Sequence, residues 1–539
     1  MSAQGKIARA AGVMSAATFI SRVLGYVKDM ILARYFGATG ISDVFFVAFR
    51  IPNLLRELFA EGSMSSAFVP VLKEYQIKHG TAAANRLVRA VFIFLLLFVG
   101  LLCVVGTLAA PIIVQLMAPG FDEASEKFAT AVLLTRIMFP FLLCISIASV
   151  VMGALNTRGV FFIPALAPAL LNIVTIVCII VLASQFANPI IAVAVGVTLG
   201  GLVQFLFQVP SFYRQGFTLF SAGEQELGQQ AKKSGDNGSS RLLLHPGLKR
   251  IGLLIIPSTA GLAVAQINIF VSTILASYLA EGSITYLYYA MRLIQFPIGI
   301  FGVAMGMAIL PTLSEHAVRK EFGILKDDFS FALRLLFFIT VPAMVGLIAL
   351  SIPIVSTLFE RGQFTHAASI ATAEALMYYS FGIWAIVGVR TITSTFYAMQ
   401  DTKTPVKIAA CGVVFNIICS LLLMQPLQHN GLALANSVAA TANFFLLFWF
   451  LRMRLGGIGT RRIVQSFAKT LAASSLMGLI GWFVMQGSLW HAGGHTALKA
   501  CYLTGAICGL LGLYLVAAYL LGSEELAYMS GKIKARIGR

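Results

Sequence analysis

Runs of about twenty apolar residues follow one another along almost the whole of this 539-residue chain, and about twenty is the number a helix needs to cross a bilayer. With soft edges they lie near 12–35, 42–72, 87–116, 128–154, 160–184, 189–212, 248–279, 285–314, 331–358, 367–398, 406–424, 430–452, 463–486 and 498–521, about fourteen in all. Hydrocarbon offers no partner to a backbone N–H or C=O, so a spanning segment is a helix or part of a closed barrel. The ten-residue alternation of a barrel strand is absent. The expected fold class is an all-α polytopic membrane protein. With 58% hydrophobic and only 11% charged residues, no ordinary soluble domain fits.

The net charge of +18 raises nucleic acid as a partner, and its placement removes that reading. Basic residues gather in every second connection: Lys6 and Arg9; Lys73, Lys78 and Arg86; Arg158; Lys232 to Arg250; Arg319, Lys320 and Lys326; Lys403 and Lys407; Arg452 to Arg462; and the tail from Lys532. The opposite connections hold only Lys127 and Arg361, with Arg34 at a helix end. This is the positive-inside pattern, and it puts both termini in the cytoplasm. The N-terminal MSAQGKIARAAG lacks a clean signal-peptide core, so the first span is expected to stay in place. Cys103, Cys144, Cys178, Cys411, Cys419, Cys501 and Cys508 all fall in apolar runs. They read as small core residues, with no disulfide or metal framework.

Residues 222–243 are polar and rich in Gly, Ser and Gln, which marks a cytoplasmic linker. On either side the sequence echoes itself. Ala48-Phe49-Arg50-Ile51 resembles Ala290-Met291-Arg292-Leu293, Pro70 answers Pro311, Ala129-Thr130-Ala131 matches Ala371-Thr372-Ala373, and Asn172-Ile173 matches Asn416-Ile417. The offset stays between 241 and 244. The expected organisation is therefore a six-helix lobe over 1–220, a linker over 221–246 and a pseudo-symmetric six-helix lobe over 247–455. Two additional helices and a basic tail follow over 456–539. Such parallel repeats are related by an axis along the membrane normal and leave a cleft between them.

One span is too charged to face lipid. TFISRVLGYVKDMILARYFG, at 18–37, carries Arg22, Lys28 and Asp29 in its middle. Three such charges cost roughly 8–10 kcal/mol, against a return of about 4 from the apolar neighbours. The charged side must meet protein or water. At about 100° per residue Arg22, Gly25 and Asp29 share a side, with Lys28 a little further round. In the second span Asp43, Arg50, Glu57 and Glu61 share a side, and Arg56 points elsewhere unless Pro52 turns it. Arg292 heads the equivalent span of the second half. A cationic cleft suits an anionic cargo, since Arg forks match phosphate and Lys supplies a point charge. Asp29 and Asp43 then steady the cations. The alternatives are ion pairs that lock the bundle, or lipid-headgroup anchoring.

No enzyme signature competes: there is no phosphate-binding G-x-x-x-x-G-K-[ST] loop, no H-E-x-x-H and no G-x-S-x-G. His491 and His495 sit four apart on a glycine-containing loop, a weak metal signal. Asp327-Asp328 beside Lys326 reads as a solvated helix start. Residues 470–487, TLAASSLMGLIGWFVMQG, have the small residues of tight helix packing, or of a shallow groove for a lipid chain. No cofactor is implied, and the energy source is expected to be the membrane potential or a monovalent ion.

The stretches SRVLGYVKDMILARYFGA and SDVFFVAFRIPNLLRELFAEGSMSSAFVPVL closely resemble the MurJ/MviN family of the multidrug/oligosaccharidyl-lipid/polysaccharide exporter superfamily. So do APGF at 118–121, YYAMRLIQFP at 288–297 and DTKTPVKIA at 401–409. The likeness runs from about residue 10 to 520. It implies a flippase for lipid II, the undecaprenyl-pyrophosphate-linked peptidoglycan precursor, in the bacterial inner membrane. It implies substrate contact by Arg22, Lys28, Asp29, Asp43, Arg56 and Arg292, no catalytic or metal residues, and a tail groove in the last two spans. Lys28 stands where many members have Arg, and Met291 and Gln295 stand where some have acids. Lipid II, membrane lipids and cell-wall synthesis proteins are the partners implied. A drug or solute antiporter of the same superfamily and a non-transport scaffold for wall synthesis stay open as alternatives.

Overall fold

A computed structural model of the protein describes residues 3–57, 63–219, 245–490, 494 and 496–537. Glu61, the expected linker up to residue 244, and His491 and His495 lie outside the described residues.

The described residues form helices and no strand. Helices α1 (Ala3–Phe36), α2 (Gly40–Arg56), α3 (Ser63–Lys78), α4 (Gly80–Leu108), α5 (Ala110–Met117) and α6 (Glu126–Thr157) precede α7 (Phe162–Leu182) and α8 (Ile191–Arg214). The series then restarts with α9 (Pro246–Ser277), α10 (Ser283–Pro297), α11 (Val303–Val318), α12 (Phe322–Ala349) and α13 (Ser351–Phe359). It continues with α14 (His366–Ser380) and α15 (Ile383–Ala398). From α1 and α9 to α6 and the pair α14–α15, helix starts and ends recur 240 to 243 residues apart. Even the caps recur: Ser125 Oγ accepts the Phe128 N–H ahead of α6 and Thr365 Oγ1 the Ala368 N–H ahead of α14, both at 3.2 Å. The duplication suspected from scattered matches is thus a repeat of helix boundaries.

After it come α16 (Lys403–Leu455), α17 (Thr460–Val484), α18 (Thr496–Leu520) and α19 (Glu524–Ile537). Helix α16 is a hairpin. It breaks at Gln428, where φ is 51°, and a Cβ built on Gly412 of the first limb lies 3.7 Å from Asn443 of the second. Those limbs are the expected spans 406–424 and 430–452. Two other expected spans are broken. The run 42–72 becomes α2 and α3, and 285–314 becomes α10, a π-helical turn over Ile298–Gly302, and α11. Pro297 has no N–H to continue the ladder, and a π-turn absorbs the misfit. Among the described residues nine helices are long and apolar enough to cross a membrane.

By its contacts the chain divides into two compact units, residues 1–32 with 40–270, and residues 33–39 with 271–539. In the first, α6 packs against α2, α4 and α8, and Phe68, Phe139, Phe141 and Phe212 are fully buried. Helices α7 and α8 approach at backbone distance, because a Cβ at Gly196 would sit 2.9 Å from Thr175 Cα. In the second, α12 packs against α15 and α17, and α17 against α18. Of the small residues in 470–487, Ala473, Ser474, Gly478 and Gly481 face this packing, where a Cβ at Gly478 would meet Val345 at 2.4 Å, while Ala472, Ser475 and Gly487 are exposed. The buried four follow the packing reading. One expectation needs correction. Cys103 and Cys178 are buried, but Cys411, Cys501 and Cys508 are exposed. They lie on outward faces of apolar helices, which the protein leaves uncovered.

Candidate functional site

In the first unit, α1 presents Arg22 exposed and Asp29 buried. Lys28 Nζ lies 3.2 Å from Asp29 Oδ1, their side chains 14% and 1% exposed. A carboxylate this deep is tolerable only with a partner, and Lys28 is one. The position of α1 is fixed beside Arg22, where Asn172 Nδ2 of α7 donates to the Ser21 carbonyl at 3.3 Å.

Helix α2 carries Asp43, 2% exposed, in a stretch buried from Ser42 to Ala48. Its phase is set by rings. Phe45 stacks on Phe49 at 5.7 Å, and Phe49 reaches Phe141 of α6 at 6.2 Å. Arg50 is half-buried one residue on. Beyond Pro52 the side chains knot together. Arg56 Nε donates to Asn53 Oδ1 at 3.1 Å, and its guanidinium lies 3.7 Å from Glu57 Oε1. Asn53 Nδ2 donates to the same Glu57 oxygen at 3.0 Å. Gln266 of α9 donates to the other. Arg56 therefore joins the acidic side of its helix, which an ideal wheel would not allow. Sequence reasoning placed Glu57 on this face and passed over Asn53 and Gln266, because neutral amides leave no charge signal in an apolar run.

In the second unit, Arg292 is half-buried on α10. The neighbouring Tyr289 is fully buried, 4.7 Å from Phe359 and 5.8 Å from Phe364 between ring centres, and so sets the helix's rotation. Met291 is half-buried and Gln295 exposed, so neither flanking position brings an acid. Arg390 on α15 was missed, although an arginine inside the apolar IVGVRTIT gives the same signal as Arg22. Its Cδ lies 3.6 Å from a Cβ built on Gly302 of the π-turn.

A second buried polar group in this unit ties α18 to α13. Lys499 Nζ donates to Ser356 Oγ at 2.9 Å and lies 3.8 Å from Glu360 Oε1. Glu360 Oε2 is 3.2 Å from His366 Nδ1. Tyr514 of α18 also donates to the Phe338 carbonyl at 2.6 Å.

Outside the spans, several acids are held by cations. A hydrogen bond from Lys78 and the nearby Arg250 hold Glu74 below the usual carboxylate range. Asp401 is held low by the Thr404 N–H, then by the Thr404 hydroxyl and Arg454. Asp328 is not simply solvated at a helix start, since His316 reaches it at 3.4 Å and Glu321 at 2.7 Å. Among the described residues no three His, Cys, Asp or Glu side chains are placed to hold a metal ion. Each unit thus sets cationic side chains inside apolar helices.

Comparison with known proteins gives a consistent set of relatives. A family profile described as "Lipid II flippase MurJ" matches residues 32–500. The Burkholderia cenocepacia protein named "Lipid II flippase MurJ" is 37% identical over 478 residues, 88% of this chain and 89% of its own. The Vibrio cholerae serotype O1 protein named "Probable lipid II flippase MurJ" is 35% identical over 518 residues, 95% of each chain. A solved structure, "Lipid II flippase MurJ, inward closed conformation", superposes with a TM-score of 0.75 at 26% identity, covering 94% of this chain and 98% of its own. An inward-facing MATE family transporter of the MOP superfamily shares the fold at a TM-score of 0.66, with 16% identity over 83% of this chain and 98% of its own.

Proposed function

The chain belongs to the MurJ family of lipid II flippases, and from that premise we propose how it handles its cargo. It is a multi-pass membrane protein that transports lipid II. The proposed route is alternating access. Arg22, Lys28, Arg56 and Arg292 engage the pyrophosphate, while Asp29 and Asp43 hold the cations in position and limit their mutual repulsion when no cargo is bound. Guanidinium forks and an ammonium are the donors a pyrophosphate needs, and charges placed in apolar helices are retained only where they act. The two repeats then rock and release the headgroup on the other side, a motion suited to parallel repeats.

The full-length likeness to lipid II flippases supports the cargo, and the span-interior charges of α1, α2 and α10 support the route. The alternate basic loops favour an inner-membrane orientation with both termini cytoplasmic. We propose that the chain performs no covalent chemistry and draws on the membrane potential or a monovalent ion. Cell-wall synthesis proteins are proposed partners. The test is purified protein in liposomes with labelled lipid II, with and without an imposed potential. Wild type moves lipid II between leaflets, and Arg22→Ala and Arg292→Ala do not. Full flipping by both variants removes the cationic route. A rate indifferent to potential and to monovalent ions removes the coupling.

A further inference from the structure

The two limbs of α16 part on their outward side around a slot of about 900 Å³. Its walls are Val414, Phe415 and Ile418 from the first limb and Phe445, Leu446 and Trp449 from the second. All six are exposed. Trp449 also borders a smaller space of about 420 Å³ formed with Arg452, Met453, Gly456 and Gly457. The two spaces meet at Trp449, so an apolar slot opens at one end onto an arginine.

That arginine is uncommitted. Arg452 is exposed and, among the described residues, has neither an ion pair nor a hydrogen bond. Its neighbour Arg454 is engaged by Asp401. Lys326 Nζ adds a second cation 4.0 Å from a Cβ built on Gly456. Lys403 and Lys407 stand exposed at the same end of the hairpin.

We propose that this slot holds one anionic phospholipid, with an acyl chain between the limbs and its phosphate on Arg452. The slot reproduces the polarity profile of that molecule: hydrocarbon walls, then an interfacial tryptophan, then a cation where a phosphate sits. Basic pockets between spanning helices are the usual seats of anionic headgroups. A zwitterionic lipid offers the same chain, but its own ammonium competes for the phosphate. The lipid then fills the space the limbs leave open.

The test is native mass spectrometry of the full chain in detergent, titrated with phosphatidylglycerol or phosphatidylcholine of identical chains. Wild type is expected to retain phosphatidylglycerol about tenfold better, the scale of one charge-assisted phosphate contact. Arg452→Ala erases that preference, Arg452→Lys keeps most of it, and Arg461→Ala leaves it intact. Ala442→Trp fills the slot while sparing Arg452, and lowers retention of both lipids. Equal retention of the two lipids by wild type overturns the proposal. So does equal loss in Arg452→Ala and Arg461→Ala, or undiminished binding in Ala442→Trp. One-for-one displacement of bound phosphatidylglycerol by undecaprenyl pyrophosphate also overturns it, making the slot a seat for cargo.

Discussion

Replacing Lys499 by methionine isolates what a buried charge does for the last two spanning helices. Methionine keeps the apolar stem and removes the ammonium. In the native chain that ammonium lies 2.9 Å from Ser356 Oγ and 3.8 Å from Glu360 Oε1, with the two charged side chains 3% and 7% exposed. Its loss strands a carboxylate that retains, among the described residues, only His366 as a partner, at 3.2 Å. Breaking one side of a buried pair costs about 3–5 kcal/mol. The remaining imidazole and the long 3.8 Å separation bring the expected cost to about 2–3 kcal/mol. The second change, Glu360→Gln on top of Lys499→Met, removes the stranded charge and should recover at least half of that loss. The assay is thermal melting of the purified full-length chain by size-exclusion profile. Lys499→Met melts several degrees below wild type, and the double variant lies between them. A single variant that melts with wild type, or a double variant whose loss is the sum of both singles, would refute a coupled buried pair.

Other outcomes follow from the same geometry. Lys28→Arg should keep lipid II transport, because it preserves the charge beside Asp29, whereas Lys28→Met leaves Asp29 short of a buried partner and should lower both melting temperature and flipping in the liposome assay. Glu57→Gln should weaken the link from α2 to α9, read as faster hydrogen exchange at the start of α2's partner segment around Gln266, and Gln266→Ala should match it. Asp401→Ala removes an acceptor of the Thr404 N–H at 3.0 Å and should cost about 1 kcal/mol. Because Asp401 is held below its usual range, its contribution is complete above the ordinary carboxylate value and is lost as pH falls through the lowered one. Burial, then Arg86, pushes His245 below its ordinary value. An unfolded chain therefore takes up that proton first as pH drops below about 6.5. The His245 Nδ1 that accepts the Gly247 N–H at 3.1 Å then becomes a donor, and exchange at the first turn of α9 should quicken in acid and stay slow at pH 8.

Much of the architecture was legible because hydrocarbon allows so few solutions. Apolar length located the helices, and the doubling showed in a near-constant offset between short matches. Helix breaks were harder to read. Pro52 and Pro297 signal a disturbance, but only packing decides between a kink and the π-turn at Ile298–Gly302. The hairpin at Gln428 was the exception, because it falls between the expected spans 406–424 and 430–452. At the site, lone charges such as Arg22 and Arg292 announce themselves against apolar neighbours. Arg56 did not follow its wheel position, because its orientation depends on Asn53 and Glu57 rather than on helix phase. Gln266 was invisible for the complementary reason: a neutral amide gains its meaning only from the carboxylate it meets. Lys499 was passed over as a basic residue at a span's edge, and its burial against Ser356 and Glu360 comes from chain segments more than a hundred residues away.

The uneven placing of the thiols gives the molecule a built-in set of reporter positions. Cys411, Cys501 and Cys508 look outward, whereas Cys103 and Cys178 are sealed inside. A maleimide adds to the thiolate, which needs water to form, so in detergent it should spare the sealed thiols and mark the outward three where water reaches them, with no engineered handle. One of the outward three, Cys411, sits in the wall of the α16 slot, where a fluorophore would register directly whether a fatty chain has moved in or left.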